Sequence, residues 1–84
     1  MRKVINGKMY DTATAKKVAR YAYSGTDEGR IYQKRTGEFF LYNEVLNGIY
    51  EYEIRPLSDA EAKEYCEEWL DGDEYEAVFG PVAE

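Results

Sequence analysis

The sequence predicts an α+β domain: a small antiparallel sheet of about five short strands packed by two main helices. Three observations carry this. An Asn-Gly pair sits between two short apolar-bearing runs, Tyr50 to Arg55 alternates apolar and charged residues, and Ser58-Asp59-Ala60-Glu61 opens a helical pattern. Eighty-four residues make one domain, 1–84, near the size at which a single core is marginal.

The elements follow in order. In Val4-Ile5-Asn6-Gly7-Lys8-Met9-Tyr10 the Asn-Gly pair favours a two-residue hairpin turn, because both residues tolerate positive φ. Asp11 or Thr12 can cap a first helix, in which Ala15, Val18, Ala19 and Ala22 recur at helical spacing with Lys16, Lys17 and Arg20 on other faces. Ser24 to Gly29 reads as a loop by composition. Arg30 to Thr36 then reads as a strand that Gly37 turns back into Glu38-Phe39-Phe40-Leu41-Tyr42. With Thr36-Gly37 as the turn, Arg35 faces Glu38, Lys34 faces Phe39 and Tyr32 faces Leu41.

Asn43 to Gly48 is expected to be a loop. Beyond it, Tyr50, Tyr52 and Ile54 alternate with Glu51, Glu53 and Arg55, a strand with one face buried and one in water, and Pro56 ends it. Ser58 and Glu61 form a capping box, and the helix from Asp59 to Leu70 carries Ala62, Cys66, Trp69 and Leu70 on one stripe, with Trp69 as its anchor. Asp71-Gly72-Asp73 breaks this helix. Glu74 to Phe79 makes one further turn closed by Gly80-Pro81, and 81–84 fray.

Charge is divided unevenly along the chain. The first 56 residues hold seven acids and ten bases, whereas Leu57 to Glu84 holds ten acids opposed only by Lys63, for a net charge of −6. An asymmetry of this size speaks to partners. The chain has no histidine, which removes the usual neutral-pH base and the commonest transition-metal ligand, and no catalytic or cofactor motif stands in its place. We therefore read no enzyme, no cofactor and no metal site. Asp71-Gly72-Asp73-Glu74 lacks the ordered ligand positions of a calcium loop. The single Cys66 excludes an internal disulfide and suits a reducing cytoplasm; no segment has the length and apolarity of a membrane span.

Two surfaces are candidates for binding. The acidic helix and its continuation expose Glu61, Glu64, Glu67, Glu68, Asp71, Asp73 and Glu74, with almost no basic partners at i,i+4. Carboxylates spaced along a helix can imitate a row of phosphates and occupy a basic groove built for nucleic acid. These seven are the predicted partner-binding residues. The rival set is Arg2, Lys3, Lys8, Lys16, Lys17, Arg20, Arg30, Lys34 and Arg35, interleaved with Tyr21, Tyr23, Tyr32 and Tyr42, which could grip single-stranded nucleic acid.

Four segments resemble small proteins of bacterial prophages and mobile elements: Val4 to Thr12, Lys34 to Tyr42, Ile54-Arg55-Pro56-Leu57-Ser58, and Tyr75-Glu76-Ala77-Val78-Phe79-Gly80 following an acidic Trp-containing helix. That family often carries a longer Gly-rich insert where this chain has only Asn43 to Tyr50. The resemblance implies a habitat in the host-cell cytoplasm. By analogy it also implies an anti-CRISPR-like or anti-restriction inhibitor, whose partner is a host nucleic-acid-binding defence protein or complex. The alternatives are a module binding a transcription protein, a direct nucleic-acid binder using the basic N-terminal face, and a self-associating structural protein.

Overall fold

A computed structural model describes residues 1–22, 27–46 and 50–83, with side chains for 1–20, 29–43 and 53–83. The element order is β1 (Arg2–Ile5), β2 (Lys8–Asp11), β3 (Lys16–Ala22), β4 (Asp27–Gln33), β5 (Phe39–Leu46), β6 (Tyr50–Leu57), α1 (Asp59–Trp69) and α2 (Gly72–Phe79). β1 and β2 form a two-stranded hairpin, and β3-β4-β5-β6 form an antiparallel meander. The α+β class follows directly.

The first hairpin is as expected. Asn6 (φ 52°) and Gly7 (φ 76°) supply the two positive-φ residues, and Val4 pairs with Met9. Asp11 then starts a helical turn without continuing it. Its carboxylate accepts from the Ala13 N–H at 2.9 Å and its carbonyl accepts from the Ala15 N–H at 3.1 Å, after which the chain extends.

The helix expected around Val18 is instead strand β3. Its alanine stripe offers too little area to sustain a helix beyond the costly first turn, whereas the edge of β4 offers a full hydrogen-bonded ladder. A bulge between Lys17 and Ala19 turns Val18 and Ala19 toward the same core, so adjacent apolar residues share a face and break the two-residue alternation.

The second hairpin forms with its register moved by one residue. Gln33 pairs with Phe39, Tyr32 with Phe40 and Ile31 with Leu41. The turn is a three-residue loop, Arg35-Thr36-Gly37, closed by Gly37 N–H to Lys34 O at 2.9 Å and Lys34 N–H to Glu38 O at 2.7 Å. Gly37 takes the left-handed position (φ 95°) that such a loop demands. One residue of slip moves each side chain to the opposite face.

Three further boundaries differ from expectation. Backbone pairing with β6 carries β5 through Asn43 to Leu46, where a loop was expected. The expected loop from Ser24 to Gly29 gives way to β4 from Asp27 onward, and its residues 24–26 lie outside the described residues. Pro56 does not end β6; it sits opposite Phe40 and the strand reaches Leu57, as an edge strand permits.

β5 explains the layering. Phe39 and Leu41 point to one face, joining Ile31, Ala19, Leu57, Ala62 and Cys66 beneath the helices. Phe40 and Tyr42 point to the other, joining Tyr10 and Ile54 beneath the hairpin. All four are buried, which is why the run reads as continuously apolar. The helices and the hairpin thus cover opposite faces of one sheet.

Candidate functional site

α1 begins where Ser58 Oγ accepts from the Glu61 N–H at 3.1 Å and the Ser58 N–H donates to Glu61 Oε1 at 3.0 Å. These two bonds, aided by the Arg55 charge, hold the Glu61 carboxyl below its usual range. Ala62 and Cys66 are fully buried against the sheet, and burial pushes the Cys66 thiol up. Their small size allows close approach of the helix. Trp69, the expected anchor, is instead 41% exposed; Leu70 and the residues of α2 fill the space at that end of the core.

Because successive residues turn by about 100°, seating Ala62 and Cys66 on the sheet decides which arc of α1 meets solvent. Glu61, Glu64, Glu67 and Glu68 fall within about 120° of one another, centred opposite the buried pair. All four are exposed. Among the described residues, no ion pair joins Glu64, Glu67, Glu68 or Asp73 to a base. Lys63 lies off this arc, with its Nζ 5.8 Å from the centre of the Phe79 ring. The outer face of α1 therefore carries three carboxylates, Glu64, Glu67 and Glu68, that make no ion pair among the described residues, with Arg55 as the cation beside the β6 flank.

The remaining predicted site residues divide from that row. Asp71 caps α2, its Oδ1 accepting from the Glu74 N–H at 2.8 Å, while the Asp71 N–H donates to Glu74 Oε1 at 3.1 Å. Thus Glu61, Asp71 and Glu74 already hold helix starts, and Asp73 lies in the first turn of α2. The expected single turn from Glu74 is instead a helix that begins at Gly72, because Asp71 and Glu74 stand at the spacing of a second capping box, a signal present in the sequence and passed over there.

Two depressions flank the outer face of α1. One, of about 250 Å³, lies between α1 and β6; there Glu61, Glu64 and Glu68 stand beside Arg55, whose guanidinium donates to the Tyr65 hydroxyl at 3.0 Å. The other, of about 380 Å³, lies between the end of α1, the start of α2 and the following segment, with Glu67, Leu70, Asp71, Tyr75, Glu76 and Val82 around it. Burial raises the Tyr75 hydroxyl above its ordinary value, with the Glu67 and Cys66 charges adding to the effect. Sequence reading missed the Arg55–Tyr65 bond and this second groove, since both depend on how distant elements meet.

The bases of the rival set divide: Lys3, Lys16, Lys17 and Arg35 make no ion pair among the described residues, and the others are engaged within the fold. Arg2 pairs with Asp11 at 3.2 Å; Lys8 and Lys34 both reach Glu38, at 2.9 and 3.4 Å; and Lys34 Nζ lies 4.2 Å from the centre of the Tyr10 ring. Arg20 and Arg30, opposite one another in the β3–β4 ladder, are engaged as well. Among the described residues, no group of three or more metal-binding side chains is placed to hold an ion, and no helix is long and apolar enough to cross a membrane. Comparison with protein-family models, curated proteins and solved structures finds no match for the chain.

Proposed function

We propose that the protein is an inhibitor acting by stoichiometric binding, whose acidic α1 face occupies the nucleic-acid-binding surface of a host defence complex of the anti-CRISPR or anti-restriction type. One observation carries this reading: Glu64, Glu67 and Glu68 line the outward arc of α1 without an ion pair among the described residues, while several N-terminal bases are paired within the fold. Like charges at i,i+3 and i,i+4 oppose helix stability, so a cationic partner relieves a repulsion already present. The prophage-like segments suggest the class of partner and the host cytoplasm as its place of action. Binding, without catalysis or cofactor, is the activity proposed.

The test is a pull-down from lysate of a strain bearing CRISPR and restriction systems, at about 50 and about 500 mM salt. Retention of a DNA-binding defence subunit at low salt only is expected. Retention that ignores salt, or capture of a transcription protein alone, would refute this reading.

A second reading has one feature in its favour. Lys17 pairs in register with Tyr32, so a base without an ion pair among the described residues lies beside an aromatic ring on the hairpin side of the sheet, one face of that ring being stacked on Phe40. Direct binding of single-stranded nucleic acid there would appear as a mobility shift at low salt that fades as salt rises.

A further inference from the structure

The groove between the end of α1 and the start of α2 has a different character from the outer acidic row. Its floor is apolar, formed by Leu70 and the half-buried Tyr75, and Val82 closes its far side. The Val82 N–H donates to Glu76 Oε2 at 3.2 Å, which ties that wall to α2. Glu67, Asp71 and Glu76 rim the opening. At about 380 Å³ it lies near the small end of ligand sites, suiting a side chain better than a large ligand.

The backbone adds to the charge. α1 ends here with no basic residue in its last turn, so the negative end of its dipole is uncompensated on the same side. The positive end of α2 is already met by Asp71, Asp73 and Glu74. What complements an apolar aromatic floor, a carboxylate rim and a negative helix end is a flat, weakly hydrated cation on an aliphatic stem. Guanidinium fits better than ammonium, because it stacks on an aromatic face and meets carboxylates with two parallel donors.

We propose that this groove receives an arginine side chain of the partner protein, its stem over Leu70 and Tyr75 and its guanidinium at Glu67 and Glu76. The inference rests on the proposed function, since it names the group through which a nucleic-acid-binding protein would be gripped. It adds position and selectivity to a charge attraction that would otherwise be diffuse.

The experiment titrates the isotope-labelled full chain with acetyl-Gly-Arg-Gly-amide and follows amide shifts by NMR, with lysine and citrulline peptides in parallel. Saturable, arginine-selective shifts at Leu70, Gly72, Tyr75 and Val82 are expected, weakened about threefold to fivefold by Glu67→Gln. Glu67 is exposed, so this variant should keep the fold, which unchanged amide shifts in β4 and β5 will check; Tyr75→Leu tests the ring separately. Equal shifts with citrulline or lysine, shifts confined to Glu61, Glu64 and Glu68, or none at all, would overturn the assignment. Peptide binding without capture of a defence subunit would remove the functional reading and leave the groove. Capture without peptide binding would remove the groove alone.

Discussion

Phe40 is fully buried beneath the N-terminal hairpin, and its ring meets two others: Tyr10 edge-on at 5.5 Å and 82°, and Tyr32 stacked at 5.3 Å and 11°. An isolated two-stranded hairpin is barely stable in water, so β1 and β2 persist because Tyr10 docks on the sheet. Phe40→Leu keeps an apolar side chain but removes both ring pairs, which at roughly 0.5–1.5 kcal/mol each amounts to about 1–3 kcal/mol. Tyr10→Leu removes one pair and the Lys34 contact, for about 1–2.5 kcal/mol. An 84-residue chain has a total stability of about 4–12 kcal/mol, so both variants should fold. The assay is a double-mutant cycle by urea denaturation. A coupling of about 0.5–1.5 kcal/mol is expected, along with faster amide exchange in β1 and β2 than in β5 in either variant. Additivity within about 0.3 kcal/mol, with hairpin exchange unchanged, would refute the claim that this aromatic contact latches the hairpin.

Joint reversal of Glu64, Glu67 and Glu68 to Lys should abolish partner capture while the circular dichroism spectrum survives; undiminished capture would eliminate the electrostatic face. Ser58→Ala breaks one half of the α1 capping box and should lower stability by about 1 kcal/mol in chemical denaturation. Gly37 stands at φ 95° with open space around it, so Gly37→Ala meets backbone strain alone and should cost about 1 kcal/mol by the same measurement. The hydrogen bond from Lys8, with others from Thr36 and Lys34, holds the Glu38 carboxyl below its ordinary 4.5. Its stabilising contribution is therefore present above that value and is lost as pH falls through the lower folded value. Acid denaturation of Glu38→Gln should show a flatter limb in that window, and an unchanged limb would contradict the pairing.

Local chemistry made part of the molecule legible. The Asn6-Gly7 turn and the Ser58/Glu61 capping box each involve residues within a few positions of one another, so their geometry is contained in the local sequence. The alternation at Ile54 and Arg55 also held, because a strand with one wet face must alternate. The uneven distribution of acids was visible by counting, and with it the composition of the candidate face.

Packing between distant segments decided the rest. Residues 16–22 became a strand because β4 offered a ladder, and the bulge at Val18 disguised it by placing adjacent apolar residues on one core. The second hairpin took a register one residue away from expectation, since Gly37 fits the left-handed position of a three-residue loop and Phe39 and Phe40 then reach opposite cores. Trp69 lies half-uncovered because α2 folds back and supplies Tyr75, Val78 and Phe79 to the core instead. The acidic row faces outward because Ala62 and Cys66, small enough to let α1 settle on the sheet, set its rotation about its own axis. Sequence alone determined that the carboxylates exist and lie on a helix; the burial of those two small residues determined where they point, since rotation of a helix is fixed only by what it packs against.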